Sequence, residues 1–181
     1  MDYKSMKKAL KGIFSVAIGL VFSIQAQAQI LMERQQIPEQ GISLNIPKGF
    51  LRMDETMKKY KYPSDNRPQV VFTNERGTVN LAMSVGILPL KIEQLDGYKD
   101  LLLHAMRNYQ PAAESVIVDK GQKAWLLNFT SKAIDTDIHN VMLITSFMDR
   151  GVIIAFNSTE ELWNTYSDSA KASLLSITFD R

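Results

Sequence analysis

The sequence predicts an α+β fold: an antiparallel β-sheet with helices packed on it. Three observations lead there. Apolar and polar residues alternate over residues 42–46 and 79–85, the period-two pattern of strands with unlike faces. Residues 94–109 and 158–174 instead carry apolar side chains at three- and four-residue steps, the stripe of an amphipathic helix. The strand segments come in runs joined by turn residues rather than alternating with helices. No Gly-rich turn follows the first strand, which excludes a doubly wound dinucleotide-binding sheet.

Each element follows in chain order. Residues 29–41 (QILMERQQIPEQG) are Gln-rich without a sustained period and read as a loosely held lead-in. Residues 42–46 (ISLNI) form the first strand, and Pro47-Lys48-Gly49 stops it. A short helix is predicted over residues 54–60 with Asp54 as its N-cap. Residues 63–68 hold two prolines, Ser, Asp and Asn and read as a loop. Residues 70–73 and 78–86 pair as a hairpin around Asn74-Glu75-Arg76-Gly77, with Val79, Leu81, Met83 and Val85 on one face. Leu95, Tyr98, Leu102, Ala105, Met106 and Tyr109 make the stripe of the helix over 94–109. A meander follows: strands over 114–120, 124–133, 138–148 and 152–157, with turns at Asp135-Thr136-Asp137 and Asp149-Arg150-Gly151. The last two strands are apolar on both faces, which places them centrally in a sheet covered on each side. Ser158-Thr159-Glu160-Glu161 reads as a capping box. The helix it opens buries Trp163, Tyr166, Ala170 and Leu174, and a short extended segment over 177–179 ends the chain.

The N-terminus has a separate logic. Lys7, Lys8 and Lys11 lead into a 13-residue apolar run from Gly12 to Ile24, followed by Ala26-Gln27-Ala28. That is the order of a secretory signal peptide over residues 1–28 with cleavage near Ala28. A stable span takes about 20 apolar residues, so no membrane span is expected after cleavage. No Cys follows the run to accept a lipid. The expectation is a soluble periplasmic or secreted product with a single domain over residues 42–181. Residues 1–28 hold four Lys and one Asp, leaving 17 basic and 18 acidic residues beyond them. The apparent basicity thus belongs to the leader, and bulk charge gives no reason to expect a nucleic-acid partner. The absence of Cys excludes thiol catalysis and Cys-based metal sites.

The segment ISLNIPKGF (residues 42–50), the hairpin through Phe72-Thr73-Asn74-Glu75-Arg76-Gly77 and Asn80-Leu81, the helix over 94–109, the 114–158 meander and the helix after Phe156-Asn157-Ser158 together resemble the PsbP-like/DcrB-like family. The resemblance implies an α/β/α sandwich. It also implies a non-enzymatic exported accessory or chaperone-like protein, with another envelope or secreted protein as partner and no cofactor. It supplies no catalytic residues to transfer.

Candidate chemistry is sparse. His104 falls on the helix over 94–109 and reads as partly buried and structural. Asp135, Asp137 and His139 alternate along an extended segment, so their side chains share a side and are candidate metal ligands for a metal-dependent hydrolase. The calcium-loop pattern fails, because position 140 is Asn and position 146 is Ser. The adjacent carboxylates Asp54/Glu55 and Glu160/Glu161 open helices, where acidic groups favour the dipole. Trp125 and Trp163 read as core. The sharpest surface feature is Lys58-Lys59-Tyr60-Lys61-Tyr62 with Arg67, a candidate partner-binding cluster that joins charge to aromatic contact. Nine Met residues leave open a small-ligand or lipid-binding protein with an adaptable cavity.

Overall fold

The computed structural model describes residues 29–180, so the signal-peptide reading of residues 1–28 lies outside the described residues. Two antiparallel sheets form. The smaller joins β1 (Met32–Ile37), β2 (Ile42–Pro47) and β10 (Thr178–Phe179) in the order β1-β2-β10. The larger has the order β3-β4-β5-β9-β8-β7-β6. Its strands are β3 (Leu51–Arg52), β4 (Val70–Thr73), β5 (Val79–Pro89), β6 (Ala112–Val118), β7 (Gln122–Lys132), β8 (Asp137–Phe147) and β9 (Arg150–Thr159). Three α-helices complete the described chain: α1 (Glu55–Lys61), α2 (Leu95–Ala105) and α3 (Glu160–Leu175).

The alternation seen in the sequence sorts residues onto the two faces of the large sheet. Leu81, Met83, Leu126, Leu143, Ile154 and Phe156 point inward and meet Ile42, Leu44 and Ile46 of β2 with Ala170 and Leu174 of α3. Fully burying a side chain of this size contributes about 1.5–3 kcal/mol, so this layer holds the fold together. The opposite face is covered in two patches. Leu95 and Tyr98 of α2 lie over Leu127 and Ile144. Tyr62, just past α1, packs with Met53, Val71 and Ala82. The central strands β8 and β9 are apolar on both faces, as their composition requires.

Four local readings differ from the structure. The Gln-rich segment is not a loose lead-in but edge strand β1, paired with β2 from Met32↔Pro47 to Ile37↔Ile42. Its polar side chains suit an edge strand, which hides the strand from hydropathy. Helix α2 ends at Ala105; residues 107–109 tighten into a 3₁₀ turn and Gln110 takes φ 47° ahead of Pro111. The capping box does not form. Pairing with β8 holds Ser158 extended within β9, and Thr159 becomes an N-cap without a side-chain bond. The β8–β9 turn falls on Met148 and Asp149, both at positive φ (52° and 56°), one residue before the expected turn. Two consecutive positive φ values make the tight turn suited to a two-residue hairpin, and Gly or Asn is its usual signal.

Candidate functional site: a groove between α1 and the β4–β5 turn

Helix α1 begins as its sequence predicts. The Asp54 carboxylate accepts the Met57 backbone N–H at 2.8 Å, which satisfies one otherwise unpaired donor of the first turn. The helix is then pinned at both sides of its polar run. Lys58 is 6% exposed; its Nζ donates to the Gln69 carbonyl at 2.7 Å and meets Glu55 at 2.6 Å. The hydrogen bond from Lys58 holds the Glu55 carboxyl below its usual pKa. Lys61 donates to the Gly77 carbonyl and, at 3.2 Å, to Asn80 Oδ1. Partial burial of that ammonium lowers its pKa. Lys61 therefore ties the end of α1 to the β4–β5 turn.

The turn is equally fixed. Asn74 Oδ1 accepts the Thr78 and Val79 N–H groups at 2.9 and 3.1 Å, and Gly77 supplies the positive φ of 71°. Between this turn and α1 lies a groove of about 320 Å³, bounded by Met53, Met57, Tyr60, Thr73, Asn74 and Arg76. Tyr60 is 85% exposed and Met57 51% exposed at its helical wall. Beneath it runs a ladder of polar side chains set by strand register. Thr73 pairs with Asn80, Asn80 with Asn157, and Asn157 with Asn140. Asn80, 2% exposed, accepts from Thr73 Oγ1 at 2.8 Å and donates to Asn157 Oδ1 at 3.0 Å.

The six residues of the Lys/Tyr cluster are therefore not one surface. Lys59 and Tyr60 face solvent. Lys58 and Lys61 anchor backbone carbonyls. Tyr62 turns inward beside Asn157, and burial raises its hydroxyl pKa. Arg67 folds back onto the Ser64 carbonyl at 3.1 Å. The hairpin side of the groove was invisible in sequence, because only the fold brings Arg76 to the same groove as α1.

The Asp/His alternation does not converge on a cation either. Asp137 pairs with Lys132 at 2.8 Å, while Asp135 is exposed at the turn. His139 Nε2 meets the Glu160 carboxylate, and its ring stacks on Trp163 with centroids 4.8 Å apart. Among the described residues no group of three His, Asp or Glu is placed to hold a metal. His104 is exposed rather than partly buried. Trp125 is half-buried on the outer face, with Lys99 Nζ 4.6 Å from its ring centroid and its indole N–H donating to Asp96 at 2.8 Å. Hydrogen bonds from Lys123 and Trp125 lower the pKa of Asp96. Around the groove, then, Lys61, Thr73, Asn74 and Asn80 are bonded to one another or to backbone, and Tyr60 and Met57 stand exposed at its wall.

The order and packing of these elements define the PsbP-like α+β fold. The chain is similar to a cyanobacterial PsbP (CyanoP) from Synechocystis sp. PCC 6803, with 17% identity and a TM-score of 0.54 over 89% of this chain and 99% of that one. It is also similar to LpqN of Mycobacterium tuberculosis, described as involved in cell envelope biogenesis, with 12% identity and a TM-score of 0.53 over 84% of this chain and 92% of that one. No family model matches the chain, and no curated protein matches it in sequence. No helix among the described residues is long and apolar enough to cross a membrane.

Proposed function

We propose that this chain is a non-enzymatic, exported accessory domain of the cell envelope that binds another protein through the groove between α1 and the β4–β5 turn. The observation that carries this reading is the exposed Tyr60 and Met57 on a wall whose backbone is clamped by Asp54, Lys58 and Lys61. An exposed aromatic on a rigid support contributes contact area without a large ordering cost on binding. The likeness to an envelope-biogenesis protein supports the compartment. Lys61 and Arg76 line the groove beside one acidic lining residue, Glu75, and exposed Lys59 adds positive charge toward the end of α1, which favours an acidic segment of the partner.

The test is affinity capture from the envelope fraction of the source cell, comparing the unaltered chain with the double variant Lys59→Glu, Tyr60→Ala. One partner recovered reproducibly with the unaltered chain and lost with the variant, at unchanged circular dichroism, supports the reading. Equal recovery by both removes this groove from the binding surface.

A further inference from the structure

Glutamine and alanine alternate over residues 25–29, as Gln25-Ala26-Gln27-Ala28-Gln29. Removal of a leader calls for small residues ahead of the cut, in the A-x-A arrangement. Ala26 and Ala28 meet that need for a cut before Gln29, whereas a cut before Gln27 would put the bulky Ile24 in place of the first alanine. The first residue of the product is then a glutamine. Gln29 is also where the chain joins the fold. Two residues on, the Leu31 carbonyl accepts the Lys48 N–H at 2.8 Å, and β1 begins at Met32. Gln29 itself is exposed, ahead of the β1–β2 ladder, and lines a cavity of about 210 Å³ with Ile30, Met32 and, from α3, Thr165, Asp168 and Ser169.

We propose that Gln29 is a modification site, at which the N-terminus released by leader cleavage closes into pyroglutamate. The inference rests on the export reading above. Hydrolysis of the Ala28–Gln29 bond frees the Gln29 α-amine. In its unprotonated form this amine attacks the side-chain carboxamide carbon of the same residue. A bond forms between the α-nitrogen and Cδ, the Cδ–Nε2 bond breaks, and Nε2 leaves as ammonia with the proton that the amine gives up. The product is a neutral γ-lactam, and no oxidant or reductant takes part. Both groups belong to one residue, so the attack is intramolecular. An α-ammonium has an ordinary pKa of about 7.7–8.0, so part of the amine is unprotonated at neutral pH. Among the described residues no strand partner or hydrogen bond holds Gln29 away from ring closure. An open terminus would bring an ammonium group to the cavity that Asp168 lines, and the lactam brings a neutral N–H there instead. The ring also denies an aminopeptidase the free amine it needs, three residues before edge strand β1.

The test is intact mass of the product made from the full 181-residue chain in the source cell, acidified at harvest so that no ring forms on storage. The expected product has the mass of residues 29–181 less about 17 Da, the mass of ammonia. It should resist an amine-acylating reagent near neutral pH, and pyroglutamyl aminopeptidase should expose the Ile30 amine once the chain is unfolded. Gln29→Asn can close only a strained β-lactam, so its product is expected to keep its ammonia and take up the acyl group. A product of residues 29–181 that keeps its ammonia overturns the proposal and leaves the export reading standing. A chain that retains residues 1–28 overturns both. A cut at any other bond overturns the proposal, and so does the same mass loss in Gln29→Asn.

Discussion

The two faces of the seven-stranded sheet are built on different principles. The inner face meets a second sheet and a 16-residue helix, and its side chains form one continuous apolar layer. The outer face meets helices of seven and eleven residues, which cover separate patches and leave the Thr73–Asn80–Asn157–Asn140 ladder associated with the α1 end. Stability is therefore concentrated on one side and specific polar geometry on the other. A sheet held firmly from one face can leave the opposite face covered only in separate patches, as α2 and the segment after α1 do here.

Removing a ring from the inner layer is the strongest challenge to that division. Phe156→Ala is expected to cost about 3–5 kcal/mol in urea unfolding, because the cavity opens between β9, Phe50 and Tyr166. A loss under about 1 kcal/mol at this site would mean that the inner layer is not the main source of stability. On the outer face, Asn80→Ala leaves Thr73, Asn157 and Lys61 short of a partner, and about 1–3 kcal/mol is expected to be lost in the same measurement. Asp54→Ala removes the N-cap of α1 and is expected to cost about 1 kcal/mol. It should also loosen the groove, seen as faster amide exchange at residues 55–61.

The smallest effect concerns pH. The folded-state pKa of Asp96 lies below its ordinary value of 3.8, chiefly through the Lys123 hydrogen bond, with Trp125 second. A depressed carboxyl pKa stabilises the folded state fully above the unfolded value and loses that contribution as pH falls through the folded one. Trp125 emission is therefore expected to shift below pH 3.8, and Asp96→Asn should abolish the step. A shift that persists in Asp96→Asn would assign the change to another group.

The inner face was legible because its signal is periodic. Val79, Leu81, Met83 and Val85 alternate, and the structure buries all four together. Residues Trp163, Tyr166, Ala170 and Leu174 likewise keep their helical stripe against the inner layer. The outer face was less legible because its contacts are made by single polar atoms across long stretches of sequence. Nothing local marks Lys61 as the partner of Gly77 and Asn80, so a lysine run that looked like one solvated or binding surface separates into clamps and exposed residues. Glu160 is a related case. Its position at a helix start invites a capping role, yet the neighbouring strand presents His139, and the carboxylate turns there. The β8–β9 turn escaped its usual signal because Met148 and Asp149 hold conformations normally given to Gly or Asn.

The pairing of β5 with β9 has a consequence for how the molecule assembles. Every other neighbour in the large sheet is closer in the chain: β4–β5 and the β6–β9 meander are joined by short turns, while β3 reaches β4 through α1 and the loop that follows it. The seam from Val79↔Ser158 to Val85↔Val152 is the one junction in that sheet that joins them across a long stretch of chain. The largest loop-closure cost within this sheet therefore falls on that one pairing. Asn80 and Asn157 meet across this seam, so the polar ladder exists only after the two halves of the chain have met. The ladder beside α1 is thus a product of the long-range pairing and of neither half of the chain alone.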